Sequence, residues 1–172
     1  MVKRILIALL ILLAIVTFIF YYKLGGSQPL EFKKASHPEF YVTGQYFEGK
    51  YHDPKIEKLF FDAKARTEKE QGATLTIVNY GIHGDKIIRQ FIGTGTLTPP
   101  GQLPAPLEVR KFPRHEVIFT EIASHNVVMP TPGEVLKKAR VFAEEYGYEL
   151  DTISYESYIS DRELKVSFLV KE

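Results

Sequence analysis

The pattern of apolar and polar positions divides the chain into an unbroken apolar run followed by segments of alternating and helical periodicity. Ile5 to Tyr22 carries no charge and has no polar face, and it is long enough to approach the roughly 30 Å hydrocarbon core of a bilayer. Tyr21 and Tyr22 suit the interfacial aromatic belt. After a Gly25-Gly26 break, periodicity resumes near Glu39. Phe40 to Tyr51 alternates, as a strand would. Asp53-Pro54 then supplies a helix cap with proline in the first turn, and Ile56, Leu59, Phe60 and Ala63 share one helical face up to a stop near Gly72. Two strands are expected over 73–80 and 85–94, joined across the glycine-bounded GIHG turn. The proline-rich stretch 97–113 reads as an extended crossover.

The same order then returns. Arg114 to Val128 is strand-like, and Thr131-Pro132 repeats the cap-and-proline device, with Glu134 placed for a capping box. Val135, Leu136, Ala139, Phe142 and Ala143 make an apolar helix face that should end at Gly147. A closing hairpin over 152–170 has Leu164, Val166, Phe168 and Val170 on one face. The expected fold is therefore α+β: duplicated β-α-β-β units, about 39–96 and 112–171, building an antiparallel sheet with two helices on one side and a groove on the other. Residues 1–24 form a membrane anchor and 25–38 a flexible tether in this reading.

Charge sharpens the assignment of the apolar run. The 22 Lys and Arg against 21 Asp and Glu give a formal +1. Setting aside Lys3, Arg4 and Lys23, which flank the run, leaves the remainder acidic on balance. That balance excludes the basic stripe needed for a phosphate backbone, so nucleic acid is not expected as a partner. Lys3 and Arg4 ahead of the run favour a cytoplasmic amino terminus and a domain on the outer side of the membrane. A cleaved signal peptide fits less well, because KLGGSQP offers no small-x-small cleavage site. With no cysteine, thiolate chemistry, cysteine zinc sites and disulfides are excluded. The histidines lack the spacing of a metal motif, and no glycine fingerprint for nucleotides lies between a strand and a helix. No cofactor is expected.

The candidate chemistry lies in the closing hairpin. Glu156 and Tyr158 share one strand face, while Tyr155 falls on the other. Buried charge must be paired or used, so Glu156 is either a solvated edge charge or a placed carboxylate. Tyr46 and Tyr80 are expected to join Glu156 and Tyr158 in the groove, and His125, just before the second helix, could face it as well. The reading of His125 as a solvated loop residue is favoured over that one.

The stretch from KFPRHEVIFTEIAS to YESYISDRELKVSFLVK resembles the GyrI-like family, the effector-binding domain of bacterial multidrug-responsive transcription activators. The resemblance rests on Glu156 in a strand, Tyr158 two residues on, the polar turn Ser160-Asp161-Arg162 and the aliphatic run Val166 to Val170. It implies a duplicated strand-helix-strand-strand fold. It also implies a site for cationic or amphipathic small molecules at Glu156, with Tyr158 and Tyr155 beside it. Some relatives are described as hydrolases that use the same glutamate with an aromatic partner. Two departures separate this chain from the family pattern: ASHNVVMPTPG lacks a glycine-tyrosine pair before the second helix, and an apolar run stands in place of a DNA-binding region. The expected partners are a small organic molecule, cationic ones included, and a bilayer met through residues 5–22. A structural or protein-interaction module without ligand is the alternative, and the sequence leaves a homodimer undecided.

Overall fold

The computed structural model describes residues 2–26, 28–81, 87–124 and 128–171. Among these, the chain forms three α-helices and eight strands. Helix α1 (Val2–Lys23) is followed by β1 (Lys33–His37), β2 (Phe40–Lys50), α2 (Pro54–Thr67), β3 (Thr74–Tyr80) and β4 (Ile87–Thr96). After the proline-rich crossover come β5 (Glu108–Phe112), β6 (His115–Ala123), α3 (Pro132–Glu145), β7 (Leu150–Ser160) and β8 (Glu163–Val170).

All eight strands belong to one sheet of order β1-β6-β8-β7-β3-β4-β2-β5, with antiparallel pairing throughout. The duplicated unit is plain in this order. β2-α2-β3-β4 and β6-α3-β7-β8 meet at the β3–β7 seam, where Ile77 lies opposite Glu156 and Val78 opposite Tyr155. The edges are exchanged between halves: β1 runs into the first unit but pairs with β6 of the second, and β5 leads into the second unit but pairs with β2 of the first.

Both edge strands depart from the sequence reading. Residues 33–37 were expected in a tether, yet KKASH pairs along β6 from Lys33 opposite Phe119 to His37 opposite His115. Leu30 and Phe32 just ahead of it pack against the cluster under α3. β5 likewise lies inside the stretch expected as irregular crossover, and Phe112 at its end is buried. The connection from α1 to the sheet is therefore short and is tied down at Leu30 and Phe32.

The helix starts follow local chemistry. Asp53 accepts a hydrogen bond from the Lys55 amide at 2.9 Å, with Pro54 in the first turn of α2. Thr131 and Glu134 close a reciprocal capping box at α3, satisfying amides that a helix end leaves unpaired. Accepting from the Thr131 amide and hydroxyl holds the Glu134 carboxyl below its ordinary value. Gly147, at φ 71°, lets the chain leave α3 through the left-handed region.

Strand alternation builds a core on each face of the sheet. On one face Leu59 and Ala63 of α2 cover Phe47, Leu75, Ile77 and Ile92, while Val135 and Ala139 of α3 cover Ile122, Leu164, Val166 and Phe168. On the other face no helix is needed, because Phe40, Phe91, Phe112 and Tyr155 fill the space with Val42 and Val78. Phe40 and Phe112 stack at 5.0 Å, and Tyr155 meets both edge-on at 5.0 and 5.3 Å.

The described side chains of α1 are exposed. The segment Lys3–Lys23 has a mean hydropathy of 2.9 and no part of its apolar window buried, so by length and composition it is able to cross a membrane.

Candidate functional site

The groove lies on the helix side of the sheet, which corrects the expectation of a groove on the opposite side. Each helix covers one half-sheet, and the β3–β7 seam between them stays open. The far face has no such gap, since its aromatic cluster fills it. The groove encloses about 1120 Å³, with Ile77, Asn79, Gln90, Glu156, Tyr158 and Val166 among the floor residues. Ile56, Phe60 and Phe61 wall it from α2, and Pro130, Pro132 and Val135 wall it from the start of α3.

Glu156 is half-buried at the centre of this floor. Its Oε1 accepts a hydrogen bond from Asn79 Nδ2 at 2.9 Å, and its Oε2 accepts one from the Tyr158 hydroxyl at 3.2 Å. Asn79 is itself fixed, because its Oδ1 accepts from Gln90 Nε2 at 2.8 Å across the β3–β4 pair. The relay Gln90→Asn79→Glu156 gives the carboxylate a single orientation without neutralising it. Burial, reinforced by the neighbouring Glu156 charge, pushes the Tyr158 phenol up, so Tyr158 remains a donor. Its ring meets Phe60 edge-on at 5.3 Å and packs against both helix-side clusters. Asp53 and Glu57 line the rim, as does Arg89, whose Nε donates to Glu48 at 3.2 Å. The arrangement is an apolar and aromatic trough with a fixed negative charge on its floor, which complements a cation carrying apolar bulk.

The residues singled out in the sequence do not all gather here. Glu156 and Tyr158 stand together. Tyr155 does not join them: strand parity turns it to the far face, where it is 2% exposed and its hydroxyl has no hydrogen-bond partner among the described residues. Tyr46 is also on the far face, donating to Glu48 at 3.1 Å. Tyr80 touches the end of the groove, but its hydroxyl accepts from Arg110 at 2.7 Å. The Arg110 guanidinium lies 5.1 and 5.2 Å from the Tyr46 and Tyr80 ring centres and 4.4 Å from that of Phe91. These tyrosines thus serve as a cation platform, for a cation supplied by the chain itself. His125 and part of the GIHG turn lie outside the described residues.

Sequence reasoning missed the two amides and the outer wall. Asn79 was passed over, although an amide inside the strand-like run TLTIVNY was the available signal. Phe61 and Tyr51 were passed over as well; they are 56% and 60% exposed and line the groove. Among the described residues no group of three or more His, Asp or Glu is placed to hold a metal ion.

No protein-family model matches the chain, and no curated protein does either. Solved structures do. The EcmrR C-terminal domain is 14% identical with a TM-score of 0.61, over 83% of this chain and 98% of that one. SAV2435 bound to tetraphenylphosphonium is 10% identical with a TM-score of 0.54, over 82% of this chain and 94% of that one. A hydrolase from Listeria innocua is 12% identical with a TM-score of 0.56, over 82% and 92%. At these identities the likeness is one of architecture: the duplicated domain shares its fold with these three proteins.

Proposed function

We propose that this chain is a membrane-tethered binding domain for lipophilic organic cations. The observation that carries the reading is the oriented Glu156 carboxylate on the floor of an aromatic groove. An aromatic face contributes about 0.5–2 kcal/mol to a bound cation, and a half-buried carboxylate adds attraction that bulk water would screen away. SAV2435, of the same fold, was solved with tetraphenylphosphonium, a cation of this description. In this reading α1 holds the domain at the bilayer, with Lys3 and Arg4 keeping the amino terminus cytoplasmic and the domain on the outer side.

The hydrolase reading has less support. Both oxygens of Glu156 already accept hydrogen bonds, from Asn79 and Tyr158.

Isothermal titration of the full-length chain with tetraphenylphosphonium and with tetraphenylborate tests the proposal, because the two ions share a shape and differ in sign. The cation should bind at least about tenfold more tightly, a difference of roughly 1.4 kcal/mol. Equal binding of the two ions, or binding of the anion alone, would refute a site built around Glu156.

A further inference from the structure

The end of α1 is clamped against the domain. The Tyr21 ring lies over Gly26, where a Cβ would collide with it, and the Tyr21 hydroxyl donates to the Gly26 carbonyl. Gly25 turns the chain at φ 85°, in the left-handed region, and a Cβ there would stand 3.0 Å from the Ala123 carbonyl oxygen and 3.3 Å from the Ser124 Cα. Shortly after this turn Leu30 and Phe32 pack into the cluster under α3. The Ser124 amide donates to the Arg162 carbonyl at 3.2 Å, which sets the β7–β8 turn beside the same point. Tyr21 and Met129, the latter on the approach to α3, line one cavity of about 360 Å³. The end of β6, the β7–β8 turn and the approach to α3 therefore form one edge of the domain, directly against the end of α1.

The length of α1 gives that edge a level. A helix of 22 residues spans about 33 Å at 1.5 Å per residue, enough to cross the hydrocarbon core. Tyr21 and Tyr22 then fall in the interfacial belt. The headgroup layer beyond the core is about 5–7 Å deep, and a residue that shares a small cavity with Tyr21 stays within reach of it.

The sheet carries the two ends of the groove to different levels. Ile122, Met129 and Pro130 line both the small cavity and the groove, so the α3 wall of the groove belongs to the edge beside α1. Ile122, Leu164, Tyr158, Leu75 and Thr94 form one row across β6, β8, β7, β3 and β4. Tyr51, at the other end of the groove, follows Lys50, which pairs with Ile87. Thr94 and Ile87 are separated along β4 by about 23 Å of strand.

We infer that the domain sits on the headgroup layer of the bilayer through this edge, with the α3 wall of the groove at headgroup depth and the Tyr51 end in water. A lipophilic cation held among the headgroups then lies level with the α3 wall. The inference rests on α1 crossing a bilayer and is independent of what the groove binds.

The chain contains no tryptophan, so single-tryptophan variants report without background. The test is the fluorescence of full-length Tyr22→Trp, Arg162→Trp and Tyr51→Trp in phosphatidylcholine nanodiscs, with and without a lipid carrying a nitroxide on its headgroup. Arg162 and Tyr51 are both exposed, so neither substitution disturbs the core. The nitroxide lipid should remove most of the emission of Tyr22→Trp and Arg162→Trp and leave that of Tyr51→Trp unchanged. Quenching of Tyr22→Trp with Arg162→Trp untouched would overturn the seating while α1 still crosses the bilayer. Equal quenching of Arg162→Trp and Tyr51→Trp would overturn it too, as the mark of a domain with no fixed edge toward the membrane. Emission of Tyr22→Trp untouched by the nitroxide would overturn the membrane reading and this inference with it.

Discussion

Replacing Glu156 by Gln removes the groove's central charge while keeping its shape. The amide oxygen can still accept from Asn79 Nδ2, which stands 2.9 Å from Oε1. The amide nitrogen can donate to the Tyr158 hydroxyl, now 3.2 Å from Oε2. Each buried polar group keeps a partner, so the fold should survive with little change in melting temperature. Binding should not survive unchanged. The phenyl rings of tetraphenylphosphonium keep its central charge about 6 Å from a carboxylate, where Coulomb attraction at an effective dielectric constant near 20 is about 3 kcal/mol. Glu156 is only half-buried, so solvent screening and the dipole of the replacing amide leave about half of this as the difference, roughly 1.5 kcal/mol or about tenfold in Kd. Isothermal titration at low and moderate salt reads both the loss and its screening. Affinity within about twofold of the parent chain, with the fold intact, would refute the assignment of Glu156 as the counter-charge.

Three further outcomes follow from the surrounding structure. Tyr155→Phe removes a buried hydroxyl that lacks a partner, so chemical denaturation should show stability unchanged or raised by up to about 1 kcal/mol, with cation binding unaffected because the ring faces away from the groove. Thr131→Ala opens the α3 capping box and should cost about 1 kcal/mol of stability by the same measurement. The pKa of His37 is lowered chiefly by burial, with His115 and Lys165 adding repulsion, while its bond to the Pro38 carbonyl opposes them. The unfolded chain therefore binds a proton first as pH falls: this contribution to stability is intact above the ordinary histidine value of 6.5 and declines as pH drops from there toward the folded value. His37→Phe should flatten that part of the stability profile.

Much of the fold is written in local chemistry. Asp53-Pro54 and Thr131-Pro132 mark two helix starts, and the alternation in the closing hairpin marks which residues share a face. What escaped the sequence was held by partners remote in the chain. KKASH carries no apolar alternation, and it becomes a strand because β6 offers it an unpaired edge. EVRKF sits in a proline-rich stretch and is fixed by pairing with β2. Parity separates Glu156 from Tyr155 but does not say which face the helices will cover, and the groove's side depends on that. The expected tyrosine platform failed at the same point: Tyr46 and Tyr80 do hold a cation, but it is Arg110, brought by β5. The bond from Gln90 to Asn79 became visible only once β3 and β4 were paired in register.

In the proposed complex the cation sits over Glu156 on the helix side of the sheet. Anomalous diffraction from crystals soaked with tetraphenylarsonium would locate the ligand by its arsenic atom. A peak is expected in the groove between α2 and α3, above the Glu156 carboxylate and beside the Phe60 and Tyr158 rings. An absent peak, or one on the far face beside Tyr46, Tyr80 and Arg110, would contradict it.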